Sequence, residues 1–175
     1  AIDFGRVELI KGTDSADEML RDVVDVLYEF VSDGDFIGAA GKGTFAIGFQ
    51  APNDERAKHW LQGVLTELNG LSGGLRKKYN TIFRAGFYKL ETHLTTSDAA
   101  LTNAKLGYNY AKQLLKSVEQ CDKALLDKES RKLRIRARMS DAIDAGEFKM
   151  YLQMLYDTKS GRFIGGEALS RWINP

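Results

Sequence analysis

At 175 residues and 19.5 kDa the chain has room for one domain of about 150 residues and a remainder. Its 43% hydrophobic and 28% charged residues, with 17 Gly and 2 Pro, exclude a disordered, collagenous or fibrous protein. With 25 Lys and Arg against 24 Asp and Glu there is no basic field for nucleic acid, a lone Cys121 allows no internal disulfide, and no apolar run nears a membrane span of roughly 20 residues. A protein of the cytoplasm, with neither nucleic acid nor membrane as partner, is expected.

Residues 1–10 carry Val7, Leu9 and Ile10, an apolar stretch expected to end a strand. From Asp14 or Ser15 onward Met19, Leu20, Val23, Val24, Leu27, Phe30 and Val31 recur at helical spacing behind an acidic first turn, which predicts an amphipathic helix. Asp33-Gly34-Asp35 punctuates it. Two short apolar runs, 36–40 and 44–49, flank Gly41-Lys42-Gly43 and predict a β-hairpin with a glycine-rich tip. Asn53-Asp54 opens a second helix, with Trp60, Leu61, Val64, Leu65 and Leu68 as its apolar face and Gly70 to Gly74 as its end. The aromatic-rich run 82–88 predicts a strand, and Ser97 and Asp98 are expected to cap a third helix through Leu101, Ala104, Tyr108, Ala111 and Leu115. Hairpin and crossover connections together predict an α/β fold in which helices cover a mixed sheet.

The character then changes. Residues 122–145 are highly charged, with Leu125, Leu126, Leu133, Met139 and Ile143 as sparse apolar positions, and predict a linker helix that is helical only while packed, with Leu133, Met139 and Ile143 as a narrow stripe. Arg131, Arg134 and Arg138 share one face near Asp127, Glu129 and Asp141, the pattern of a salt-bridged helix. Apolar runs 148–155 and 163–169, joined by the turn-rich 157–161, begin a second unit that is left incomplete.

Gly38 to Thr44 superficially suits a phosphate loop, but Gly43 stands where a Walker-type loop needs Ser or Thr, and a strand follows where it needs a helix. His59 and His93 lack spaced metal partners. A closer match is to the GGDEF family, the cyclases that join two GTP molecules into cyclic di-GMP. Asp35 to Phe45 resembles that family's hairpin, its signature reading Gly41-Lys42-Gly43-Thr44-Phe45. The spacing of Phe4, Gly12 and Asp17, then Arg84-Ala85-Gly86 and Tyr108-Asn109-Tyr110-Ala111-Lys112, follows the family's order. Glu147-Phe148, Tyr151, Gln153, Gly161 and Gly166-Glu167-Ala168-Leu169-Ser170-Arg171-Trp172, to Pro175, resemble the start of an EAL domain, the family that hydrolyses cyclic di-GMP. The implied layout is a degenerate GGDEF domain at 1–117, a linker helix at 118–146 and a truncated EAL start at 147–175.

Phosphoryl transfer needs carboxylates that hold magnesium against the triphosphate. The resemblance implies that these are gone: the signature's acidic pair is Gly43-Thr44, and the metal-binding Asp two residues before Phe4 is Ile2, with Asp3 on the opposite strand face. It places Glu8 at the guanine-contacting Asn and keeps Asp17 as the second guanine-binding acid, which is expected to be buried. Lys112 matches a phosphate-contacting lysine, with Lys116 one turn on. Both also fit a solvated stripe, as Asp17 fits a first-turn acid and Lys42 a solubilising tip. Of the upstream inhibitory site only Asp35 remains, Ser32 replacing its arginine. Glu167 is a magnesium ligand only in a complete EAL barrel, which needs on the order of 250 residues.

The expected function is a non-catalytic regulatory module that senses GTP or a protein partner and controls an adjoining EAL phosphodiesterase, the partner being that domain or a second copy. No cofactor is required, and magnesium enters only with an intact cyclase or EAL site. The rivals are an active cyclase using Asp3 or Glu8 as substitute ligands and a dimerisation domain that binds no nucleotide.

Overall fold

Phe4 and Val7 stand three residues apart and are both buried, which is the spacing of one helical face. In the computed structural model, which describes residues 4–41, 43–70, 75–91 and 95–173 and only the backbone of Arg76, they lie on helix α1, Phe4–Lys11. The expected strand is therefore a helix. A strand would have buried Val7 with Leu9, whereas Leu9 is 87% exposed. Ile2 and Asp3, assigned to the same strand, lie outside the described residues, as do Lys42, His93, Pro175 and 71–74 of the expected end of the second helix.

Gly12, at φ +86°, turns the chain into α2, Thr13–Tyr28, which starts a residue or two before the expected start, ends before Phe30 and Val31, and has no side-chain cap. Its face Ala16, Met19, Val23 and Leu27 packs in one core with α3, Asp54–Asn69, through Leu61, Val64, Leu65 and Leu68. Between them β1, Phe36–Ala39, and β2, Phe45–Gly48, form the expected antiparallel hairpin, Phe36 opposite Gly48 and Ala39 opposite Phe45. Asn53 caps α3, its Oδ1 accepting the Arg56 amide at 2.9 Å.

A short helix absent from the sequence reading, α4 at Leu75–Tyr79, is tied to α2 by Asp22, which accepts from Lys78 Nζ and Tyr79 Oη, both at 2.7 Å. The Asn69 side chain then grips Phe83, accepting its amide at 3.0 Å and donating to its carbonyl at 3.1 Å. This aims the chain into β3, Ala85–Phe87. Helix α5, Ser97–Gln113, begins after Thr96, whose Oγ1 accepts from the Ala99 amide at 3.2 Å. Thr96, one residue ahead of the expected caps, holds that role.

After α5 comes β4, Val118–Gln120, too short to show in the sequence and parallel to β3 with Ala85 opposite Val118. The two glycines of this unit are required by packing. A Cβ on Gly86 would stand 1.9 Å from the Tyr108 amide nitrogen, and one on Gly107 would stand 2.8 Å from the Glu119 carbonyl oxygen. Parallel and antiparallel pairs thus both occur, in separate two-stranded sheets among the described residues.

The chain divides into two compact units, Ala1–Lys123 and Ala124–Pro175. Helix α6, Lys123–Asp144, falls within the helix expected over 118–146, whose first residues, Val118–Gln120, are instead strand β4 held by β3, and Leu133 does not share a stripe with Met139. Six residues at about 100° each place them on different sides, and Leu133, Met139 and Ile143 are all exposed while Leu125 and Ala142 are buried. The second unit ends in a long antiparallel hairpin, β5 at Phe148–Tyr156 and β6 at Phe163–Trp172, with Phe148 opposite Trp172 and Gln153 opposite Glu167. Among the described residues no helix is long and apolar enough to cross a membrane.

Candidate functional site

The β1–β2 tip is closed by backbone bonds, the Ala40 amide donating to the Thr44 carbonyl at 2.8 Å and the Thr44 amide to the Gly41 carbonyl at 3.0 Å. Gly41 at φ +125° and Gly43 at φ +66° supply a backbone that side-chain-bearing residues rarely adopt. Lys105 of α5 donates to the Ala40 carbonyl at 3.2 Å. Gly43 is buried, while Thr44 and Phe45 are half-buried. This loop offers no described carboxylate. Nor does any group of three His, Cys, Asp or Glu among the described residues come together to hold a metal ion. The described residues here do not fit magnesium.

The other candidates sit on separate elements. Glu8 is half-buried on α1 and Lys112 is exposed in the last turn of α5. Asp17 lies on α2 beside the buried face and is exposed, so the burial expected of it is not found. One residue past Ala16, its side chain is turned about 100° away from the core. Lys116 is off α5 altogether, so it forms no helical stripe with Lys112. The helix ends at Gln113, Leu115 takes φ +56°, and the Lys116 amide returns to the Ala111 carbonyl at 2.9 Å. The Lys116 ammonium pairs with Glu119 at 2.7 Å. Asp35 accepts the Ser32 amide at 2.9 Å within its own turn.

Two grooves stand out among the described residues of the first unit. One, of about 420 Å³, has Lys116 and Glu119 on one wall and Asp54 and Lys58 on the other, with Gln120 donating to Asp54 at 2.8 Å. Of the nucleotide-binding candidates it takes in Lys116 alone. The sequence reading missed it because β4, which lines it, is only three residues long. The other, of about 270 Å³, lies along the stacked pair Phe49 and Trp60, 4.2 Å between centroids, with Arg56 and the exposed His59 at its rim.

In the second unit Glu147 accepts from Arg138 and from the Trp172 indole, both at 2.7 Å. The Trp172 bond first, then the Arg138 bond and charge, hold its carboxyl below the usual glutamate range. Glu167 is exposed on β6.

No protein-family model matches the chain, and no curated protein matches it. Solved structures do. The GGDEF domain of DgcB from Caulobacter crescentus, in complex with c-di-GMP, is similar over 69% of this chain and 73% of its own, at 17% identity and a TM-score of 0.57. The Vibrio cholerae LapD S helix-GGDEF-EAL structure, bound to c-di-GMP, is similar over 95% of this chain and 39% of its own, at 14% identity and a TM-score of 0.54. The present chain thus spans about two-fifths of the length of that LapD chain. The likeness shows an α/β fold of the GGDEF type.

Proposed function

We propose that the chain is a non-catalytic regulatory or interaction module of cyclic di-GMP signalling: a degenerate GGDEF domain that takes in β4 beyond residue 117, a linker helix on α6, and the start of an EAL domain at 147–175. The observation that carries this reading is the hairpin tip. In a GGDEF-type fold the tip presents the acids that hold metal against the triphosphate, and here those positions are Gly43 and Thr44. Without them the charge that develops in phosphoryl transfer has no cation to spread onto. The module then works by binding. It takes GTP or a protein, passes that state along α6 to an adjoining EAL phosphodiesterase, and acts in the cytoplasm without a cofactor of its own. Glu167 holds magnesium only where a complete EAL barrel surrounds it.

The test is incubation of the purified chain with GTP and magnesium or manganese. No cyclic di-GMP is expected. Product that scales with protein and disappears on changing Glu8 or Asp3 overturns the reading in favour of a cyclase with substitute ligands. Calorimetry with GTP then separates sensing from scaffolding: weak binding is expected, reduced more by Asp17→Ala than by Lys42→Ala. The exposure of Asp17 favours the second reading, a dimerisation domain without nucleotide, and the absence of GTP binding together with self-association in sedimentation would support it.

A further inference from the structure

Strand β4 carries a backbone edge that no described group bonds to. Its ladder with β3 is parallel, the Ala85 amide donating to the Ser117 carbonyl at 2.9 Å and the Cys121 amide to the Phe87 carbonyl at 2.8 Å. In such a ladder alternate residues bond to the same neighbour, so Ser117, Glu119 and Cys121 face β3 while Val118 and Gln120 turn their N–H and C=O groups the other way. The groove of about 420 Å³ between β4 and α3 is lined by Val118, Glu119 and Gln120 alike. Consecutive strand residues point to opposite faces, so a groove that takes in all three runs along the edge. Among the described residues no group bonds to the outward backbone of Val118 or Gln120. Val118 is 3% exposed, so its outward donor and acceptor are shut off from bulk water and have no protein partner. Buried backbone groups rarely stay so. The lining residues all fall between positions 54 and 122, inside the first unit, with described chain on both sides of them.

Charge narrows what can enter. The bond from Gln120 to Asp54 at 2.8 Å pins the first turn of α3 to the C-terminal end of β4, which gathers Asp54, Glu55 and the following Asp122 at that end. Of the two lysines in the lining, Lys116 is matched by Glu119 at 2.7 Å, which leaves these three acids against Lys58. They outweigh the positive end of the α3 dipole, which amounts to about half a charge. A partner that suits the groove therefore brings positive charge together with both donors and acceptors along one edge. A linear polyamine has the charge but no acceptor for the Val118 and Gln120 amides. We infer that the groove between β4 and α3 receives an extended basic segment of a partner protein, which adds to β4 as a further strand. Gln120 points its side chain at α3, so alternate residues of the added strand face α3 too, and these are the positions for Lys or Arg opposite Asp54 and Glu55. The three-residue length of β4 keeps the edge from pairing indiscriminately, which makes the charge decisive. Nothing in this fit depends on cyclic di-GMP chemistry.

The probe is a blocked, fluorescently labelled peptide of alternating lysine and valine, titrated into the full chain and followed by anisotropy and by amide exchange. Binding is expected, with slowed exchange at Val118 and Gln120. A peptide of alternating glutamate and valine should bind at least about fivefold more weakly, and the lysine peptide N-methylated throughout, which keeps its charge and loses its donors, at least about tenfold more weakly. Two exposed positions on the α3 wall give opposite shifts: Glu55→Lys should weaken binding by about two- to fivefold and Lys58→Glu should strengthen it by a similar factor. Circular dichroism shows that both variants keep their fold. No binding at about 1 mM peptide, equal binding of the acidic or the N-methylated peptide, or a Glu55→Lys chain that binds as the parent does overturns the inference. So does spermidine that slows the same amides as well as the peptide does, or slowing of those amides with rising protein concentration alone, which would assign the edge to a second copy. GTP turnover and GTP binding are read in separate assays, so the proposed function stands or falls on its own.

Discussion

The two units are built from similar elements and hold themselves together differently. In Ala1–Lys123, helices α2 and α3 bury Met19, Val23, Leu61, Val64 and Leu65 in one apolar core closed by Tyr79, Phe83 and Phe87. In Ala124–Pro175, Leu125 and Ala142 are the buried apolar residues among those described, and the shape comes from backbone ladder bonds and a few polar links around Glu147. A ladder fixes register, but each hydrogen bond nets only about 1 kcal/mol, whereas a buried Leu or Met side chain contributes roughly 1.5–3 kcal/mol. Stability should therefore reside in the first unit. Amide exchange should show strong protection in α2 and α3 and weak protection in β5 and β6.

The largest effect expected on that contrast comes from Gly86→Ala. The new Cβ meets backbone on three sides, the Tyr108 nitrogen, the Ala104 oxygen and the Gly107 carbonyl carbon, all within 2.4 Å. No rotamer change relieves a clash with backbone, so β3 and α5 must separate, at a cost above about 3 kcal/mol. Thermal unfolding of the first unit should shift sharply down or be lost. A variant that melts like the parent would show that the β3–α5 contact is not as close as described.

Next comes Met19→Ala, which removes a fully buried side chain from the centre of α2 and should cost about 2–5 kcal/mol. The matching change in the second unit, Met150→Ala, should cost under about 0.5 kcal/mol in a dilute sample, because Met150 is exposed. Chemical denaturation of both variants measures the contrast directly. Equal losses would break it.

Sequence periodicity made the core legible wherever three or more apolar residues recur at one spacing, as in α2, α3 and the β5–β6 pair. It failed at α1, where Phe4 and Val7 alone face inward and the more conspicuous Leu9 and Ile10 are exposed. It failed again at α4 and β4, five and three residues long, which are held by tertiary bonds such as Tyr79 to Asp22 rather than by their own pattern. The hairpin tip was legible because glycines announce unusual backbone angles. The exposure of Asp17 and the displacement of Lys116 from α5 were not, because a helix's rotation about its axis and its last residue are set by packing.

That helix end supplies the third prediction. Leu115 occupies the left-handed position of a C-terminal cap at φ +56° and is 82% exposed, so its side chain contributes little burial while its Cβ strains the backbone. Leu115→Gly should stabilise the first unit by about 1 kcal/mol, read as a raised melting temperature, and should leave β5 and β6 exchange unchanged. A destabilised variant would show that Leu115 packs in solution.

The smallest effect separates the units by acid. Asp22 in the first unit and Glu147 in the second are both held below the ordinary carboxylate range, Asp22 by its hydrogen bond from Lys78 and then from Tyr79, Glu147 by Trp172 and then Arg138. A carboxyl whose folded pKa is depressed binds more protons unfolded than folded as pH falls through the usual carboxylate range. Its contribution is complete above that range and is lost progressively as the pH approaches the lower folded value. Both units should therefore weaken on acidification, with different reporters. Asp22→Asn should flatten the acid limb of the main unfolding transition, since Tyr79, its partner, is part of the core. Glu147→Gln should leave that transition alone and remove an acid-dependent change in Trp172 fluorescence, because the Glu147 bond to the indole is local to the second unit. A Glu147→Gln chain whose main transition shifts as far as that of Asp22→Asn would mean that the two units unfold as one.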